Sequence, residues 1–190
     1  MTDPSGPAWV AKFPGSASLD DLTPDFGPKV KAFIASLTAA GAQVRVSATY
    51  RPPERAYLMH WCCRIAGYRD KKTGQTVIDP ATAATPMAGV DIDWTHGGDA
   101  AAAKSAAAQM VSGYGIQYPA VLVSRHTQKR AVDMTISWNG TLAIKDAAGA
   151  AHSIASTPRS GSNAELVAVG KTFGVIKLMS DPPHWSDDGH

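Results

Sequence analysis

Apolar residues recur at Val30, Phe33, Ile34 and Leu37 with polar or small residues between them, and Gly41 follows. That i, i+3, i+4, i+7 stripe predicts a half-buried helix from Pro28, stopped by the glycine. In QVRVSATYR (43–51) the period changes to two, Val44, Val46 and Ala48 alternating with polar neighbours. This predicts a strand, which Pro52-Pro53 ends. A second helix is predicted from Glu54 to about Ala66, with Leu58, Trp61, Cys62 and Ile65 on one face. Residues 67–98 carry turn signals and little periodicity, as a long excursion with a surface loop would. Asp99 is placed to cap an alanine-rich helix running to about Val111, with Gly113 and Gly115 closing it.

The second half of the chain reads mainly as strands. YPAVLVSRH (118–126) is apolar and β-branched, and AVDMTISW (131–138) alternates. Asn139-Gly140 then precedes TLAIKD (141–146), a short hairpin signal. Ser162 and Glu165 form a capping box ahead of Leu166, Val169, Gly170 and Phe173, which predicts a further amphipathic helix. VIKLM (175–179) predicts a last short strand before DPPHW (181–185). Residues 1–27, rich in Pro, Gly, Ser and Asp, read as an arm, and 28–190 as one domain. The order predicts an α+β domain, a small antiparallel sheet with flanking helices. No internal repeat is visible.

Composition narrows the class. A chain of 190 residues suits one domain with a real core, and 44% hydrophobic with 18% charged residues excludes wholesale disorder. The net charge of +2, from 18 basic and 16 acidic residues, gives no reason to expect a nucleic-acid partner. The basic clusters at 69–72 and at Lys129-Arg130 therefore read as solvated surface. MTDPSGPAWVAKFPGS at the start has no apolar run of signal-peptide length, and nowhere are there the roughly 20 apolar residues of a membrane span. The expectation is synthesis in the cytoplasm without a visible signal peptide. Cys62 and Cys63 are neighbours in a helical pattern, where a mutual disulfide would be strained, so they read as free buried thiols. Any metal must then rest on His, Asp or Glu.

The candidate chemistry begins in SRHTQKRAVDM (124–134), where His126 and Asp133 stand seven positions apart. If LVSRH ends one strand and AVDMT opens the next, or continues the same strand after a bulge, both side chains can face one point. DPPHW adds His184, with Asp181 three positions before it. Its two prolines stiffen the segment, and an extended turn returns to a similar direction about every three residues, so both side chains can aim into one cleft. A catalytic zinc takes three protein ligands and keeps a fourth position for water, which His126, Asp133 and His184 could supply. VDIDWTH (90–96) is the rival, with Asp91, Asp93 and His96 as a carboxylate and imidazole cluster; a polar strand edge entering the Gly97-Gly98 turn is its commoner meaning. His60, His152 and His190 read as structural or solvated.

SRHTQKRAVD and DPPHW together resemble the two signatures of the LAS zinc metallopeptidases, specifically the D-alanyl-D-alanine carboxypeptidase and dipeptidase family that includes L-alanyl-D-glutamate phage endolysins. Ser124, His126, Ala131 and Asp133 match the first signature, with Lys129 where glycine is usual. Asp181, His184 and Trp185 match the second, with Ser186 where other branches carry another histidine. SATYRPPE (47–54) is similar to the family's upstream Ser-any-Tyr-Arg segment, with one residue more between Ser and Tyr. The resemblance implies a hedgehog/D-Ala-D-Ala peptidase-like fold and one Zn2+ ion on His126, Asp133 and His184. It implies Asp181 as general base and acid, and Arg51 stabilising the oxyanion or gripping a substrate carboxylate. Ser124 and Trp185 would border the substrate, Trp185 chiefly as a packing residue flanking the site.

The activity so implied is zinc-dependent hydrolysis of peptide bonds involving D-amino acids in peptidoglycan stem peptides, as a carboxypeptidase or an endopeptidase. Such an enzyme would reach the wall through phage-induced lysis or through secretion as an antibacterial effector, and an effector implies an immunity protein as partner. The alternative is a non-catalytic, zinc-stabilised binding module of the same fold.

Overall fold

The computed structural model describes residues 2–67, 74, 76, 78–116 and 120–190. Its helices are α1 (Gly27–Ala39), α2 (Pro53–Ala66), α3 (Ala100–Gly113) and α4 (Ala164–Thr172). Its strands are β1 (Asp3–Pro4), β2 (Gln43–Ala48), β3 (Ile92–Asp93), β4 (Ala131–Ser137), β5 (Leu142–Lys145), β6 (Ala151–Ile154), β7 (Ile176–Lys177) and β8 (His184–Ser186). The class is α+β, as the order of elements predicts. The chain divides into two compact units, Met1–Pro14 with Pro52–Val123, and Gly15–Arg51 with Ser124–His190.

In the first unit α2 and α3 bury Leu58, Trp61, Cys62, Ile65, Ala107 and Met110, together with Trp9 from the N-terminal segment. Cys62 and Cys63 are free and buried. Asp99 caps α3 as expected, its carboxylate accepting from the Ala101 and Ala102 amides at 3.0 Å each. A two-residue parallel pair, β1 with β3, is the only strand pairing here among the described residues. No described helix is long and apolar enough to cross a membrane. The basic cluster at 69–72 lies outside the described residues.

The second unit holds a four-stranded antiparallel sheet in the order β2-β4-β8-β7. Val132, Met134 and Ile136 on one face of β4 pack with Val30, Phe33 and Leu37 of α1 and Leu166 and Val169 of α4. Alternation turns Asp133 to the other face. In the β4–β8 register Asp133 stands opposite His184 and Val132 opposite Trp185. Facing residues of antiparallel neighbours share a side of the sheet, so His184 joins Asp133 and Trp185 joins the core.

Three local expectations are corrected. The segment 120–126 is not a strand, and Tyr118 and Pro119 of that prediction lie outside the described residues. Val121, Leu122 and Val123 are exposed, and from Ser124 the chain turns because side chains take over its hydrogen bonding. Thr127 Oγ1 accepts from the Ser124 amide at 2.9 Å and donates to its carbonyl at 2.8 Å, local bonds that displace a strand ladder. Asn139-Gly140 does not join β4 to β5 as a hairpin, because β5 pairs instead with β6. Asn163, rather than Ser162, caps α4: its Oδ1 accepts from the Glu165 and Leu166 amides at 3.0 and 3.1 Å.

Candidate metal centre

His126 enters the site from a tight loop. The Lys129 and Arg130 amides donate back to the His126 and Arg125 carbonyls at 3.2 and 2.8 Å. Lys129 takes φ +60°, so the position where the resembled signature has glycine keeps the left-handed conformation that glycine favours. Ion pairs anchor both ends of the loop: Arg125 to Asp187 and Asp188, and Arg130 to Asp25 and Asp187. The β2–β4 pairing shifts register between Val46 and Ala48, and Thr49 follows this bulge fully buried, its amide donating to the Ser16 carbonyl at 2.7 Å. That places the Thr49 carbonyl against the His126 ring.

His126 Nε2 lies 3.1 Å from both Asp133 Oδ1 and His184 Nδ1, and His184 Nδ1 lies 3.2 Å from Asp133 Oδ1. Both rings are about 95% buried, with exposures of 5% for His126 and 6% for His184. The outer nitrogens settle the tautomers. His126 Nδ1 is 3.2 Å from the Thr49 carbonyl and His184 Nε2 is 3.1 Å from the His190 carbonyl. A carbonyl only accepts, so in the neutral form of each ring the outer nitrogen carries the proton. Three lone-pair acceptors then face one point with no hydrogen between them, an arrangement that a cation or added protons must relieve.

The donor set fits a metal. Ligand atoms of a tetrahedral ion at bond lengths of roughly 2.0–2.1 Å stand about 3.3 Å apart, close to the triangle found here. Imidazole N–H groups donated to backbone carbonyls are the usual outer support of histidine ligands. Burial works to raise the Asp133 carboxyl, but when added protons fill the triangle the N–H bonds and charge of His126 and His184 outweigh it and hold the group below the usual carboxylate range. Among the described residues this trio is the one group of three or more His, Cys, Asp or Glu brought close enough to hold an ion.

The other expected residues fall into two sets. Asp181 is half-buried, and its carboxylate makes no hydrogen bond among the described residues. Arg51 is half-buried too, and its amide donates to the His126 carbonyl at 3.2 Å. Ser124 is also half-buried, with Thr127 as its partner. Trp185 corrects the expectation of a substrate-facing side chain. It is fully buried, with its ring 5.4 Å from Phe33, because its place in β8 faces the core. Asp91, Asp93 and His96 do not form a cluster: Asp93 Oδ1 is taken by the Thr95 amide and hydroxyl at 2.7 and 2.6 Å, and His96 Nε2 pairs with Ser5 Oγ at 2.9 Å.

Sequence reasoning missed the Thr49 and His190 carbonyls and the ammonium of Lys177. Backbone acceptors leave no mark in residue identity. Lys177 did leave one, as the single charge within the apolar VIKLM. Burial pulls its ammonium below the ordinary lysine range, with the charges of Asp181 and Asp133 opposing. Comparison with models of known protein families gave no match, and neither did comparison with curated proteins.

Proposed function

We propose that this chain is a mononuclear zinc peptidase that hydrolyses bonds involving D-amino acids in peptidoglycan stem peptides. The observation that carries the metal part is the three opposed lone pairs of His126, Asp133 and His184. The choice of zinc follows from two imidazoles and a carboxylate, a common ligand set for this ion. The fold family and substrate class rest on the resemblance of SRHTQKRAVD, DPPHW and SATYR to the LAS signatures. A bound zinc ion supplies a water of lowered pKa and polarises a carbonyl. Asp181, whose carboxylate accepts no hydrogen bond from the described residues, is suited to take a proton and return it to a leaving amine. Arg51 carries a permanent charge for a substrate carboxylate or oxyanion. In an antibacterial effector role, such a peptidase would have an immunity protein as partner.

The test compares wild type, His126→Ala and Asp181→Ala on purified stem peptides, reading metal content and product masses. Wild type should release product with one zinc bound. H126A should lose both metal and product, and D181A should keep the metal while turnover falls about 10²- to 10⁴-fold. Equal release by all three would refute the assignment. Metal bound by wild type without any product would replace the peptidase with a zinc-stabilised binding module.

A further inference from the structure

Lys177 is the only buried lysine or arginine among the described residues, with 5% of its surface exposed. No acidic side chain among the described residues forms an ion pair with it. Its Nζ donates instead to three backbone carbonyls, those of Leu178 at 2.6 Å, Asp181, and His184 at 3.1 Å. An ammonium has three N–H groups, so this set uses its whole donor capacity. The same three carbonyls close the β7–β8 turn on itself. Leu178 N–H donates to His184 O, Asp181 N–H to Leu178 O and His184 N–H to Asp181 O, each at 3.1 Å. Pro182 and Pro183 within the turn have no N–H to offer. The lysine supplies the donors that those residues cannot.

Two of the three carbonyls belong to residues of the candidate centre, Asp181 and His184. Any movement of the ammonium therefore shifts the backbone from which the presumptive base and one ligand project. Packing does not explain the choice of residue, since a buried charge costs desolvation that an apolar side chain of similar length would avoid. We propose that Lys177 is a positioning residue for the His126, Asp133 and His184 centre, its ammonium fixing the turn that aims the His184 ring and the Asp181 side chain. This rests on the metal reading given above.

The experiment sets Lys177→Met beside wild type. Both are freed of metal and titrated with Zn2+ against a chromophoric chelator, and the visible spectrum of the Co2+-loaded forms is recorded. K177M, which keeps length but loses all three donors, should melt without metal within about 4 °C of wild type. It should bind Zn2+ about 10- to 100-fold more weakly, the usual effect of losing an outer-shell partner, and its Co2+ bands should move. Equal affinity and an unchanged Co2+ spectrum would overturn the proposal. Should K177M not fold, NMR on wild type decides: scalar couplings across the hydrogen bonds from Lys177 Nζ to the carbonyls of 178, 181 and 184 support it, and their absence overturns it. Failure of wild type to bind either metal would sink the metal reading instead, and the couplings would still judge whether Lys177 holds the turn.

Discussion

Replacing Asp133 by Asn tests the opposed lone pairs directly, because the side chain keeps its shape while one acceptor becomes a donor. In alkaline buffer, about pH 8.5, imidazole is ordinarily neutral and the metal-free wild type sets three acceptors 3.1–3.2 Å apart. An amide NH2 at position 133 can donate to His126 Nε2 and His184 Nδ1. Each such bond contributes roughly 0.5–1.5 kcal/mol net, so D133N should be more stable than wild type by about 1–2 kcal/mol. In a chain of this size that is an upward shift of about 2–8 °C in melting temperature. Zinc at about 100 times its Kd should stabilise wild type by roughly 2.7 kcal/mol and D133N far less. The assay is thermal unfolding of both proteins in chelator at about pH 8.5, repeated with zinc. A mutant less stable than wild type in chelator would refute the tautomers assigned from the Thr49 and His190 carbonyls.

Other outcomes follow from single features. Because the folded Asp133 carboxyl is held below its unfolded value, metal-free wild type should lose stability as pH falls from about 4 through the lower folded value, a loss that acid unfolding of D133N should not show. At Lys129, φ +60° makes Lys129→Val costly by about 1–2 kcal/mol while Lys129→Gly stays within about 1 kcal/mol of wild type, measured by urea unfolding; equal effects would contradict the left-handed backbone. Asn163→Ala removes the acceptor of two α4 amides and should cost about 1 kcal/mol, whereas Ser162→Ala should cost less, an order that thermal melts would check.

Periodic segments were legible in the sequence because burial writes itself into them. The stripe of Val30, Phe33 and Leu37 is buried in α1, and the alternation around Asp133 in β4 is the one that separates core from site. The candidate trio was legible because SRHTQKRAVD and DPPHW resemble two known signatures in the right order, which neither histidine would have suggested alone. Segment 120–126 was misread since β-branched composition does not say whether a neighbouring strand is there to pair, and two side-chain hydrogen bonds at Ser124 and Thr127 decided otherwise. The Asn139-Gly140 turn misled for a similar reason: turn chemistry fixes a local bend, while the partner of β5 is chosen by the facing strand β6. Trp185 shows the limit of motif adjacency, since neighbours along a strand serve opposite sides of the sheet.

For an ion held by this trio, that opposition would tie metal selectivity to folding free energy. His184 cannot slide along β4 by one position without dragging the Trp185 indole out from beside Phe33, and losing a buried tryptophan's packing costs roughly 3–5 kcal/mol. A cation that prefers a different spacing of donors would have to supply that energy to reshape the triangle. The indole would thus act as a ruler for an ion it never touches, and variants that loosen its seat should first become less discriminating among divalent metals.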